Sequence, residues 1–479
     1  MEQSLPLLNQ SADDETDHVY IDLEKAPKRR WSDSHTALRY LLSTISLLHS
    51  ALPRFLQIGG LKPRKERQHS TAWLDALRGY AACVVVKFHL YGPSPREIFH
   101  QPIFHAFEAG RGSVQVFFVI SGYVLSVRVL KMIRNQQGLQ VLNSLASATF
   151  RRYLRLYAPT AFATLVTALA LQLGLFYKQE IIQPTLYRQL SDWMSDTIWV
   201  SDPFHDITGW WIENGFKTKY AFQLWTIPLE FRGSMVLFLL LLASCKLTTR
   251  GRMALCWIAI TCSFRWQVHY VACFLGGMFI ADLSMSFPPE KAQDRLRLPR
   301  HQIGSDTTPD DRRAKWNAIG RKSGFIFTFI MGLFILSVPL DPYNSPWPIR
   351  YVGDLTPSAF PPFSAEYFWL SIGAMLLVLS LEYSPLVLQV PLRWNVSLYL
   401  GEISFGIYTM HVLCNWVVWE SYLSRWKEES LGDSFWADTL AASLMFLVVF
   451  VAADYFTRVD AQIVAFGRWL QVKLFVKWE

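Results

Sequence analysis

The sequence has little charge, no paired cysteines and no repeat, and each shortage excludes something. Charged residues make up 18% of 479 positions, against 51% hydrophobic and 15% aromatic. A soluble chain of this length would split into two or three domains and carry about a quarter charged residues. Six cysteines stand singly, at Cys83, Cys245, Cys256, Cys262, Cys273 and Cys414. With no Cys-x-x-Cys and no metal-ligand spacing, neither a disulfide scaffold nor a metal site is expected, and the cysteines read as small buried hydrophobes. No Gly-x-Ser-x-Gly elbow marks a serine nucleophile. No internal repeat is visible, which weakens a transporter reading. No secretory leader is visible either: the first seventy residues are polar, and Leu5 to Leu8 is too short for an apolar core. The first spanning helix is therefore expected to serve as its own insertion signal.

What is present is a series of apolar blocks, roughly 17 to 25 residues each, the length that crosses a hydrocarbon core about 30 Å thick. Mean hydropathy is +0.18 and formal net charge +8. The expected fold is all-α, a polytopic membrane protein with about ten transmembrane helices. The spans fall near 72–92, 112–130, 158–177, 222–244, 252–264, 267–285, 323–341, 366–383, 396–418 and 436–457. Residues 1–70 read as a polar, largely disordered cytosolic tail with basic clusters at Lys25 to Arg30 and Lys62 to Arg67. Leu38 to Leu52 within it carries a weak amphipathic signal. Residues 71–472 form the membrane domain, with a cytosolic loop at 286–322, and 473–479 a short tail.

Loop charges set the orientation. Basic residues gather before span one, between spans two and three (Arg128, Lys131, Arg134, Arg151, Arg152, Arg155) and between six and seven (among them Lys291, Arg295, Arg312 and Lys322). The longest alternate loop holds Asp192, Asp196, Asp202, Asp206 and Glu213. By the positive-inside rule both termini face the cytosol, which an even number of spans allows. The cations follow this alternation rather than one patch, so nucleic acid is excluded as a partner. The sequons Asn9-Gln-Ser11 and Asn395-Val-Ser397 then lie on the cytosolic side and should stay unmodified.

Span one carries Asp75, Arg78, Lys87 and His89 on an otherwise apolar helix, where central charges cost about 2.5–3.5 kcal/mol each. Arg78 and His89 are eleven residues apart, which puts them on nearly one face and about 16 Å apart along the axis. That geometry suits an acyl-CoA, phosphorylated at one end and reactive at the other. An arginine at the cytosolic mouth would hold phosphates, and a deeper histidine would take a hydroxyl proton. An interfacial anchor pairing with Asp75, and a polar residue at the membrane edge, fit the same two positions.

Further segments stand out. Ser121-Gly122-Tyr123 sits inside an apolar helix, where small residues usually serve close packing. Arg151, Arg152 and Arg155 precede span three, as topology determinants, a phosphate clamp, or both. Trp225 to Arg232 opens span four and puts Glu230 at about the level of His89, to orient the imidazole, bind an acceptor, or pair structurally. Span nine contains Gly401, Glu402, Ser404, Tyr408 and a second intramembrane histidine, His411.

In order, these segments resemble the acyltransferase-3 family of integral membrane acyltransferases, its fungal-type branch most closely. The resemblance rests on Leu74-Asp75-Ala-Leu-Arg78-Gly79 with His89, on Phe117-Phe118-Val-Ile-Ser121-Gly122-Tyr123, and on Phe150-Arg151-Arg152 with Arg155 and Pro159. Trp225-Thr-Ile-Pro228-Leu-Glu230, Gly401-Glu402-Ile-Ser404-Phe-Gly-Ile-Tyr408 with His411, and Phe456-Thr-Arg458-Val-Asp460 complete it. The sequence departs from the pattern at Glu402, where a basic or neutral residue is expected, and in the tail at Val459 to Gln462, where a proline is common.

The resemblance implies that Arg78 and His89 are an essential pair and that acyl-CoA, carrying an acetyl or short acyl group, is the donor substrate, with no permanently bound cofactor. It implies a sugar, glycan, lipid or secondary-metabolite hydroxyl as acceptor. On this reading His89 is the base, Glu230 supports it, and Arg78 with Arg151, Arg152 and Arg155 holds the CoA head. Tyr123 or Tyr408 serves the oxyanion, and Ser121, Trp225 and His411 are further candidates. The lipid bilayer is the expected surrounding, in a eukaryotic endomembrane or plasma membrane. A multi-pass transporter using the same charges is the alternative. The sequence carries no signal for oligomeric state.

Overall fold

In the computed structural model the described residues are 51–57, 59–61, 71–92, 101–203, 205, 217–288, 309–339, 341–342, 345, 347–358, 360, 365–384 and 387–476. Both basic clusters of the N-terminal tail, residues 38–50 and the loop from 289 to 308 lie outside them. All regular structure among the described residues is helical.

In chain order the helices are α1 (Ala72–Tyr91), α2 (Gly110–Arg134), α3 (Gly138–Gln172), α4 (Leu186–Val200), α5 (Thr226–Ala243), α6 (Thr249–Arg265), α7 (His269–Ser286), α8 (Pro309–Leu336), α9 (Ile349–Asp354), α10 (Ala365–Glu382), α11 (Asn395–Cys414), α12 (Ser424–Ser430) and α13 (Phe435–Leu474). A 3-10 turn, Phe222–Trp225, leads into α5, and a π-helical stretch, Asn415–Leu423, continues α11. Each of the ten expected apolar segments falls on a helix. Among the described residues, five helices are long and apolar enough to cross a membrane: α2, α3, α5 with its leading turn, α10 and α13.

Several helices outrun their apolar stretches. α3 starts at Gly138 and carries Arg151, Arg152 and Arg155 on the same rod as its apolar half. α13 runs on to Leu474, and α8 begins at Pro309, inside the loop expected to reach 322. Hydrophobicity marks only the lipid-matched part of a helix, and a polar extension needs no such match. The acidic loop after α3 also contains a helix, α4. Thr185 caps it, its side chain accepting from the Arg188 N–H. The acids of α4 then anchor the chain that follows: Asp192 pairs with Lys219 and accepts from the Tyr220 hydroxyl, and Asp196 accepts from Thr218.

Close helix packing uses small residues, because in lipid it is van der Waals contact and hydrogen bonding that hold helices together. α1 packs most extensively on α11. A Cβ on Gly79 would come within 2.6 Å of the Leu400 carbonyl carbon, and one on Gly401 within 2.5 Å of the Asp75 carbonyl carbon. α2 meets α7 in the same way, through Gly122 against the Phe274 carbonyl and Gly277 against the Val119 carbonyl. A buried charge cluster ties the ends of α2, α6 and α7. Asp282 accepts from Arg252 at 2.7 Å and from Arg134 at 2.6 Å, and Arg134 also reaches Ser286. Arg134, expected to set topology, is thus also a structural staple.

Candidate active site

Six helices leave a cavity of about 220 Å³ bordered by residues of three apolar clusters. Arg78 comes from α1, Phe117 and Ser121 from α2, and Arg152 and Arg155 from α3. Thr226 and Glu230 come from α5, Glu402, Ser404 and Tyr408 from α11, and Thr457 and Asp460 from α13. Three guanidinium groups thus converge from two helices.

Each arginine is held by a short polar contact. Arg78 Nε donates to Ser404 Oγ at 2.9 Å and Nη2 to Asp75 Oδ1 at 3.0 Å. The approach of α1 to α11 at Gly79 and Gly401 makes the first contact possible. Arg152 donates from Nε to Ser234 Oγ at 2.8 Å and from Nη2 to Glu230 Oε1 at 2.6 Å. Arg155 pairs with Asp460 through Nη1. Neither Arg78 nor Arg152 donates from Nη1 to any described residue, so each keeps a nitrogen for a ligand oxygen. Charge-assisted bonds of this kind are the common means of holding phosphates.

Glu230 corrects an expectation. It binds Arg152 and accepts from Ser121 Oγ at 2.6 Å, and no hydrogen bond or ion pair joins it to His89. The reason lies in helix rise. The element level with His89 is Phe222, whose ring meets the imidazole edge-on at 5.1 Å. Glu230 comes eight residues later, about 12 Å along the axis. Ser121 and Gly122 divide their work by facing different sides of α2: the glycine packs on α7 and the serine faces the cavity.

The second site lies further along α1. His89 stacks on His411 with centroids 5.3 Å apart and planes at 24°, bordered by Phe88 and Phe222. His411 Nδ1 donates to the Tyr408 carbonyl at 2.8 Å. That bond fixes the tautomer and leaves Nε2 as an acceptor, which is buried and makes no hydrogen bond. Gln223, one residue after Phe222, donates to the Thr409 carbonyl, while its Oε1 is likewise a buried acceptor without a donor. Buried acceptors are nearly always satisfied in folded proteins, so two here mark a place where a donor is wanted.

Tyr408 separates the two sites. It lines the cavity, its ring lies 6.0 Å from that of His411, and its hydroxyl is fixed by Thr226 Oγ1 at 2.7 Å and the Gln223 carbonyl at 2.5 Å. Phe117 packs edge-on against it at 5.7 Å.

Other expected residues lie elsewhere. The Tyr123 hydroxyl donates to Glu382 at 3.0 Å, on the α10 side of α2. Arg151 turns back to the Ser147 carbonyl and does not line the cavity. Trp225 packs beside the larger apolar core. Thr226, Gln223 and Thr457 were not singled out from sequence; as uncharged residues in apolar surroundings they carry no signal of their own. Asp460 had one, an acid four residues after Phe456 in the tail motif, but its pairing with Arg155 spans 305 residues.

A profile of the acyltransferase-3 family, described as an acyltransferase domain, matches residues 71–458. The chain belongs to this family and is an acyltransferase. It is 29% identical over 446 residues to the O-acetyltransferase PaAT-1 of Phomopsis amygdali, covering 85% of each chain. Acyltransferase clz18 of Cochliobolus lunatus is 25% identical over 470 residues, covering 83% of this chain and 94% of its own. Acyltransferase R4 of a Phoma species is 24% identical over 462 residues, covering 82% and 94%. No solved structure matches the chain. Its apolar helices and its family together make it a membrane protein.

Proposed function

We propose that the protein is a membrane-bound O-acyltransferase that moves an acetyl or short acyl group from acyl-CoA to a hydroxyl of a sugar, lipid or secondary metabolite. The observation that carries this reading is the convergence of Arg78, Arg152 and Arg155 on one cavity, with His89 on the same helix as Arg78. The printed name of the Phomopsis relative, an O-acetyltransferase, supports acetyl as the group.

The orientation follows from loop charge: ten spans, both termini cytosolic, in an endomembrane or the plasma membrane of a eukaryote. The arginine cavity then opens toward the cytosol, where acyl-CoA is supplied. At about 220 Å³ it is smaller than the about 300–1,000 Å³ of typical ligand sites, and so takes a phosphate-bearing part of the donor. Glu230 and Asp460 position Arg152 and Arg155 rather than acting on the acceptor. The pantetheine arm passes Tyr408 and Phe117 to bring the thioester near His89.

There the acceptor oxygen attacks the thioester carbonyl. The C–O bond forms, the C–S bond breaks, His89 takes the hydroxyl proton, and that proton goes to the departing thiolate. The acceptor hydroxyl, before it reacts, is the kind of donor that His411 Nε2 and Gln223 Oε1 lack. The test is release of free thiol from acetyl-CoA by detergent-purified protein offered hydroxyl-bearing lipids and glycosides, with the product gaining one acetyl group. Thiol release that requires an acceptor and disappears in His89→Ala is expected; equal release by a folded His89→Ala protein would overturn the mechanism.

A further inference from the structure

Glu402 is out of place in a cavity for phosphates. It lines the same wall as Arg78 and Ser404, and a carboxylate there repels an anionic head group. One of its partners is Arg54, in the 3-10 turn Arg54–Leu56, ahead of the region that the family profile covers.

The Arg54 guanidinium bridges two acids. Nη1 donates to Glu402 Oε2 at 2.5 Å and Nε to Asp454 Oδ1 at 3.2 Å. The group lies over the Tyr399 ring at 5.1 Å, and Phe55 packs edge-on against the same ring at 6.2 Å. The Arg54 backbone N–H adds a bond to Asp454 at 3.3 Å. Asp454 has other donors, the Tyr399 hydroxyl and Arg458, each at 3.1 Å, and it does not line the cavity. Glu402 does, so the charge that Arg54 brings bears on the ligand through Glu402. Planar arginine, anchored on a second acid and an aromatic face, suits a fixed role of this kind better than a mobile lysine.

We propose that the segment preceding the acyltransferase domain completes the donor site, with Arg54 a positioning residue that neutralises Glu402 and holds it against α13 so that the cavity accepts the anionic head of acyl-CoA. The inference rests on the donor reading above and adds a residue from outside the family domain.

The test compares acetyl-CoA binding and steady-state kinetics of the full chain in detergent for wild type, Arg54→Gln, Arg54→Lys, Glu402→Gln and the Arg54→Gln/Glu402→Gln double variant, with Arg152→Ala as a reference. Arg54→Gln is expected to raise Kd and KM for acetyl-CoA about tenfold while kcat falls far less, the effect shrinking at high salt. Glu402→Gln should tighten binding about threefold, and the double variant should bind within about twofold of Glu402→Gln. Arg54→Lys should recover only part of the loss, since it restores the charge but not the planar bridge between the two acids. A merely structural Arg54 would give a double variant as weak as Arg54→Gln, since Asp454 loses the same partner in both. That result, or wild-type binding by Arg54→Gln, overturns the proposal. If Arg152→Ala also binds acetyl-CoA like wild type, the donor reading fails with it; loss in Arg152→Ala alone isolates the failure to Arg54.

Discussion

Arg78 and His89 stand on one helix, about 16 Å apart, in opposite surroundings. Around Arg78 the protein gathers charge: three arginines and three acids border a cavity, and every guanidinium is oriented by a carboxylate. Around His89 it gathers rings, and the stacked His411 offers a buried acceptor, Nε2, that makes no hydrogen bond. On the proposed reading, the first environment binds the charged end of the donor without changing it. On the proposed mechanism the second suits proton transfer to His89, away from the arginine cluster. A group-transfer enzyme whose donor is charged at one end and reactive at the other needs both, and needs them apart.

That contrast is tested by substitutions that touch one layer only. The largest effect is expected from His89→Ala, with kcat for transfer down about 1,000-fold, the size of a lost general base, while acetyl-CoA Kd stays near wild type. Arg152→Ala should act in the reverse sense, raising donor KM about 100-fold, since it removes one phosphate contact and leaves Glu230 without its cation. Steady-state kinetics against donor concentration separates the two patterns. Tyr408→Phe keeps the ring but frees the partition from Thr226 and Gln223; a drop in kcat of about tenfold with little change in donor binding is expected. Tyr123→Phe, which loses bonds to Glu382 and Ser284 away from both layers, should leave turnover within about twofold. A large effect of Tyr123→Phe on kcat would mean that the reacting groups lie on the α10 side of α2.

Much of this was legible in the sequence, and the gaps have physical causes. Apolar length located the helices, because lipid thickness imposes it, but gave no warning that α3, α8 and α13 continue as polar rods. Arg78, Arg152, Arg155, Ser121 and Tyr408, chosen from separate segments, meet at one cavity. Glu230 was placed level with His89, a level that the 3-10 turn at Phe222 takes instead, and its pairing with Arg152 matches the structural alternative left open for it. The pairings of Arg155 with Asp460 and of Arg54 with Glu402 span 305 and 348 residues, and no local pattern announces a contact at that distance. Glu402 did announce itself, as a residue of the wrong sign for its surroundings, and the fold supplies the compensating charge.

The central claim is that donor binding and chemistry occupy different layers of one helix bundle. The most direct measurement is acetyl-CoA binding by detergent-purified wild type, Arg78→Ala and His89→Ala, each verified as folded by size-exclusion profile and thermal melt. Binding lost in Arg78→Ala and kept in His89→Ala is the predicted result. Equal loss in both variants, or no binding by folded wild type, would contradict the separation.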